Sequence, residues 1–123
     1  MSCTNGLQYV ESLDVSTSTN TSYESKLSLT TSVLSIGTYE ATFNCAVANV
    51  VPGNNVSVQF SIDGDYNVEV VERSETTVSY KTVNSSYIFY VSGGTRTLDI
   101  DYRSPSGSTA YIKQAQICIK RIA

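Results

Sequence analysis

The sequence predicts an all-β protein, an antiparallel two-sheet sandwich of jelly-roll type built from eight to ten short strands. Three observations carry that prediction. Apolar and polar residues alternate with a period of two along most of the chain, as in strands with one buried and one wet face. Clusters of Gly, Pro, Asn, Asp and Ser interrupt the alternation about every 8–12 residues, the spacing of strands in a sandwich. No segment keeps the i, i+3, i+4, i+7 spacing of an amphipathic helix.

The strands follow in order. Leu7–Val15 reads as a first strand, with Leu7, Tyr9, Leu13 and Val15 on one parity. Ser16–Ser22, STSTNTS, is polar and of low complexity and reads as an exposed loop. Tyr23–Thr31 alternates again. After the turn residue Gly37, Tyr39, Ala41, Phe43, Cys45 and Val47 share a face. Pro52-Gly53-Asn54-Asn55 is a turn, and Val56, Val58, Phe60 and Ile62 share the next face. Asp63-Gly64-Asp65 closes a hairpin onto Tyr66–Glu72, with Val68 and Val70 inward. A strand over Thr77–Val83 with Val78 and Tyr80 is expected next, then a turn at Asn84-Ser85-Ser86.

Tyr87–Val91, YIFYV, is a fully apolar run and is expected to be a central or subunit-facing strand. Ser92-Gly93-Gly94 turns into the final pair. Thr95–Arg103 sets Leu98, Ile100 and Tyr102 against Asp99, Asp101 and Arg103. The Ser104–Thr109 loop leads to Ala110–Ile122, which alternates to within one residue of Ala123. This last strand is expected to lock the C-terminus into the sheet. Both prolines fall in loops, where they disturb no ladder.

Composition narrows the function. A chain of 123 residues fits one domain, and 41% hydrophobic residues permit a real core. Charged residues make up 15%, below the usual share of about 25%. Ser and Thr, about a quarter of the chain, supply the polarity instead. The net charge is −3 and the eight basic residues are scattered, which argues against nucleic acid. No run approaches the roughly 20 apolar residues of a membrane helix. MSCTNGLQYV has neither the basic nor the apolar region of a signal peptide, so synthesis in a cytoplasm is expected. The sequons at Asn20, Asn55 and Asn84 are then chance features of a Ser/Thr-rich chain.

Chemistry is sparse. There is no histidine, which removes the commonest general base and most zinc sites. Cys3, Cys45 and Cys118 are odd in number and form no CxxC; Cys45 and Cys118 read as small apolar residues in strands, bridgeable only if their Cα atoms lie within about 7 Å. Asp99 and Asp101 share a strand face, as a glycosidase pair would, but alternation alone places them there. Asp63-Gly64-Asp65 is a turn signal before it is a Ca²⁺ loop. No catalytic residue, cofactor or metal site is assigned, and no enzyme is expected. Nine tyrosines without a tryptophan are the remaining oddity. Tyr87, Tyr90, Tyr102 and Tyr111 are taken as the candidate interaction surface, because tyrosine serves both sugar platforms and protein interfaces.

GTYEATF (Gly37–Phe43), VSVQFSIDG (Val56–Gly64), GGTRTLDIDYRSPSG (Gly93–Gly107) and AQICIKRI (Ala115–Ile122) together resemble the small β-sandwich domains of tailed-phage virion proteins, namely head-decoration, head-fibre, collar and tail-fibre modules. The chain also resembles the trimerising jelly rolls of the tumour-necrosis-factor type. The resemblance implies a non-enzymatic virion structural protein, a capsid decoration or head-fibre protein. It would dock on other virion proteins, of capsid or tail, as a symmetric homo-oligomer such as a trimer. It would be made in the host cytoplasm and end in the virion. The alternative is a receptor- or glycan-binding module of a phage tail or fibre. Residues 1–22 are expected to form an arm or a first strand with a polar loop, Met1–Gly6 docking and Ser16–Ser22 hinging, and residues 23–123 the sandwich.

Overall fold

A computed structural model of the chain describes residues 8–64, 66–73 and 80–123, with 66–73 described by backbone path alone. The described residues form nine strands in two antiparallel sheets and no helix. The first sheet contains β1 (Gln8–Ser12), β2 (Ser16–Ser18), β4 (Gly37–Asn49), β7 (Lys81–Val91) and β9 (Ala110–Arg121). Its order is β1-β9-β4-β7, with β2 also on β9. The second holds β3 (Glu24–Thr30), β5 (Asn55–Ile62), β6 (Tyr66–Arg73) and β8 (Thr97–Arg103), in the order β3-β8-β5-β6. β1 and β2 act as two halves of one interrupted strand against β9. Counting them together gives the eight strands and double Greek key of a jelly roll.

The core is the set of inward parities read from the sequence. Tyr39, Ala41, Phe43, Cys45 and Val47 of β4 are buried, as are Val56, Val58, Phe60 and Ile62 of β5. Leu98, Ile100 and Tyr102 of β8 and Ile112, Ile117 and Ile119 of β9 complete the layer. Phe43 and Phe60 stack across the two sheets with ring centroids 5.1 Å apart, and Tyr87 meets Phe43 edge-on at 5.9 Å. Such aromatic contacts add about 0.5–1.5 kcal/mol beyond area burial. At Asp63-Gly64 both residues have positive φ (53° and 73°), as the turn between β5 and β6 requires, and glycine tolerates this best. Gly37 has a different reason. A Cβ there would lie 2.8 Å from the Ala123 carbonyl oxygen, so only glycine lets the chain after β9 run this close to β4. Thr38 N–H donates to that same oxygen at 3.0 Å.

Several expectations need correction. Asn84-Ser85-Ser86 is not a turn: β7 runs straight through it, pairing with Asn44, Phe43 and Thr42. Val83, Ser85 and Tyr87 keep one parity, and a long ladder against β4 overrides local turn preference. YIFYV is not central, because β7 is the edge of its sheet. Ser16–Ser18 is a strand on β9, not loop. In β1 the parity is reversed. Val10 packs on the core while Tyr9 is exposed, because the register pairs Val10 with Ile117 and Gln8 with Ile119. Leu13 and Val15 are exposed at the interruption between β1 and β2, where β9 bulges with Gln114 at φ 53° and Gln114 N–H donates to the Leu13 carbonyl at 3.2 Å.

Asp99 and Asp101 lie on an interior strand, with β3 on one side and β5 on the other, on its half-buried outer face. Cys45 is buried and free, so no Cys45–Cys118 bridge forms, and Cys118 is disulfide-bonded instead of a plain apolar residue. The inward placing of Val68 and Val70, the Thr77–Ser79 part of the expected strand and the Met1–Gly6 arm lie outside the described residues or side chains.

Candidate functional site

The described residues contain a cleft of about 350 Å³ at the end of the sandwich where β9 begins. Thr17 and Ser18 of β2, Thr19 and Asn20 of the turn after it, Glu24 of β3 and Thr109 just before β9 line it. The sequence builds this wall locally. Ser18 pairs with Ala110, which ends the ladder, and its Oγ accepts the Asn20 N–H at 3.0 Å, folding the chain back on itself. The Asn20 carbonyl accepts the Ser104 N–H at 2.8 Å, which ties this turn to the loop after β8. Asn20 Nδ2 donates to Glu24 Oε1 at 3.4 Å.

Thr109 follows a loop held by a buried polar network. Asn49 and Ser104 are fully buried. Ser104 Oγ donates to the Ser108 carbonyl. Ser108 Oγ donates to Asn49 Oδ1 at 2.8 Å, and the same oxygen accepts the Val51 N–H at 3.0 Å. Asn54 Nδ2 donates to Ser108 Oγ at 2.9 Å. Satisfied buried polar groups of this kind fix a loop in one conformation. The loop before Thr109 and the turn at Asn20 are therefore tied to one another and to the sheet.

The lining is four hydroxyls, one amide and one carboxylate. Hydroxyls donate and accept, the amide does both, and the carboxylate accepts only. That inventory suits a neutral polyhydroxylated ligand, and the volume suits a small one. Tyr111 stands beside it. The ladder puts Tyr111 opposite Thr17 on one side and Ala48 on the other, on the outer face of the five-stranded sheet. Tyr80, just before β7, lies near Tyr111. Lys113 Nζ lies 4.0 Å from the Tyr80 ring centroid, and burial with the nearby Tyr111 pushes the Tyr80 hydroxyl pKa up. Beyond Glu24, the Arg103 guanidinium covers the Tyr23 ring at 4.7 Å.

The four tyrosines singled out in the sequence therefore do not form one surface. Tyr111 borders the cleft. Tyr102 is core, 2% exposed, and burial with the Glu24 charge raises its pKa. Tyr87 faces inward onto Phe43, and Tyr90 is exposed at the far end of β7. The sequence missed Thr17–Asn20, Glu24 and Thr109, although the Ser-Thr-Ser-Thr-Asn run was visible; a polar run signals a loop without saying what it faces. Other chemistry is weak. Burial pushes the Cys45 thiol up to about 12, against the favourable pull of Lys26, so it is no nucleophile. Among the described residues no three His, Cys, Asp or Glu side chains gather to hold a metal ion.

No protein-family model and no curated protein matches the chain. Among solved structures it is similar to the C-terminal domain of EclA, described as a sugar-binding protein, with 20% identity, 92% of this chain and 77% of that one covered, and a TM-score of 0.53. It is also similar to the CBM35 from Cellvibrio japonicus Abf62, at 9% identity, 94% and 99% coverage and a TM-score of 0.51. A third likeness is to the GH115 4-O-methyl-α-glucuronidase BtGH115A, at 9% identity and a TM-score of 0.51, where all of this chain covers 17% of the enzyme. At these identities the likeness is one of fold: the chain shares the two-sheet β-sandwich found in sugar-binding modules.

Proposed function

We propose that the protein is a non-enzymatic glycan-binding module, with the Thr17–Asn20, Glu24 and Thr109 cleft as its site and Tyr111 as the flanking platform. The observation that carries this reading is the cleft, a hydroxyl-, amide- and carboxylate-lined hollow whose lining residue Thr17 pairs with Tyr111 on the next strand. The fold likeness to sugar-binding domains supports it. The Glu24 carboxylate selects neutral saccharides, since a uronate or sialate would bring a second negative charge to the same hollow.

A glycan array followed by calorimetry on the hits tests the proposal. Wild type should bind at least one neutral saccharide, and Asn20→Ala and Glu24→Gln should weaken that binding. A flat array, or hits that survive both substitutions, would overturn it.

The second reading is the virion structural protein that the strand motifs resemble. It draws on the exposed Ile88 and Tyr90 of edge strand β7, which offer a packing surface. Gene neighbourhood and the mass of the intact assembly test it. A mass matching a free single chain, in a neighbourhood without particle genes, would count against it.

A further inference from the structure

We propose that Lys26 is the positioning residue of the cleft: β3 bulges at Lys26 to turn Glu24 into the hollow, and the Lys26 ammonium group holds β2 from the facing sheet. What the cleft binds rests on the glycan reading; that Lys26 braces it does not.

The bulge shows in the register. Leu27, Ser28, Leu29 and Thr30 pair with Ile100, Asp99, Leu98 and Thr97 of β8, but Ser25 pairs with Asp101 and Glu24 with Tyr102. Lys26 is the extra residue. Had the first register continued, Glu24 would stand opposite Arg103, on the outer face with Asp99 and Asp101. The shift sets it opposite the core residue Tyr102 instead, so Glu24 takes the inward parity and lines the cleft.

The ammonium group fixes the other side. Lys26 Nζ donates to the Asp14 carbonyl and to Ser16 Oγ, both at 2.7 Å. These acceptors flank Val15, where the chain breaks between β1 and β2. β9 bulges at the same place, with Gln114 N–H on the Leu13 carbonyl. An irregularity in each sheet therefore faces the other, and Lys26 spans the gap between them. β2 is three residues long, at the lower limit of strand length, and carries Thr17 and Ser18 of the lining. Burial in the gap lowers the Lys26 pKa, with the Asp14 charge acting the other way. A methionine would avoid that burial of charge but would donate nothing to Asp14 or Ser16.

The test is hydrogen exchange and saccharide calorimetry on the full chain, as wild type, Lys26→Met and Lys26→Arg. In Lys26→Met, amides of 16–18 should exchange about tenfold faster, as expected for the loss of hydrogen bonds to a charged group, while those of 43–47 in β4 change far less. Affinity for a neutral saccharide found on the array should fall by a similar factor, and Lys26→Arg should restore both. If Lys26→Met does not fold, Ser16→Ala removes one of the two acceptors and should quicken exchange in 16–18 by a smaller factor. Unchanged exchange in 16–18 would overturn the proposal, whatever the array shows. So would faster exchange with wild-type affinity, or losses in Lys26→Met that Lys26→Arg does not restore. A flat array with faster exchange sinks the glycan reading and keeps the bracing.

Discussion

At the Ala110 end of β9, the five-stranded sheet meets hydroxyls, an amide and a carboxylate around a hollow, with Tyr111 at its border. At the Arg121 end the same strands show Ile88, Tyr90 and Ile122 to solvent, with Ile36 exposed beside them. β4, β7 and β9 span both regions, and along each of them the alternation is the same. What differs is how each end is finished. At the first end β2 breaks off and the chain turns over Ser18–Asn20, creating a concave place with polar walls. At the second, β7 is the last strand of its sheet among the described residues. One end can enclose a ligand; the other shows exposed apolar side chains.

The largest expected effect lies in the core. Phe43→Ala deletes the ring that stacks on Phe60 and meets Tyr87, and should cost about 3–5 kcal/mol in urea unfolding. A loss below about 1 kcal/mol would show that the ring is not central to the core. The next effect separates the two ends. Asn20→Ala removes the amide that bonds Glu24 and should weaken saccharide binding about tenfold, as expected for the loss of about 1–1.5 kcal/mol of hydrogen bonding, with sedimentation unchanged.

Tyr111→Ala should weaken binding by a smaller factor, about twofold to tenfold, if the ring contributes a stacking energy of about 0.5–1.5 kcal/mol. Titration calorimetry checks it, and a longer saccharide should lose more than a monosaccharide.

The smallest effect is electrostatic and lies on the other sheet. Burial, and after it the Asp99 charge, hold the Asp101 carboxyl above its ordinary value of 3.8. A raised acid binds its proton more tightly in the folded chain than in the unfolded one. Its neutral form therefore favours folding fully below pH 3.8, and that advantage is lost as pH rises from there through the folded value. Asp101→Asn should raise the melting temperature slightly at pH 7, with no gain at pH 3. Differential scanning calorimetry at the two pH values reads it, and neither end of the first sheet should respond.

Much of the core was legible because parity is a local property. Tyr39, Phe43, Val58, Phe60, Leu98 and Ile100 point inward wherever their strands sit, since successive side chains on a strand take opposite faces. The candidate site was less legible. Tyr102 and Tyr111 look alike as alternating tyrosines, yet the first is inward on an interior strand and the second outward beside a cleft. Tyr9 and Val10 show how one residue of register exchanges core for solvent. Glu24 and Thr109 are 85 positions apart in the chain and line one cleft only because β2 lies against β9 and the turn after β2 leads into β3.

By itself the sequence determined an all-β chain, the inward faces of its long strands and the turn at Asp63-Gly64, because these depend on neighbours within a few residues. The tertiary structure decided that YIFYV lies on the last strand of its sheet, that Asp99 and Asp101 sit on an interior strand, that Ser16–Ser18 is a strand and that a polar cleft exists. Those depend on which strands lie side by side. Strand order is set by pairings between segments far apart in the chain, through backbone hydrogen bonds that every residue type except proline can donate to, so side-chain pattern alone does not encode them.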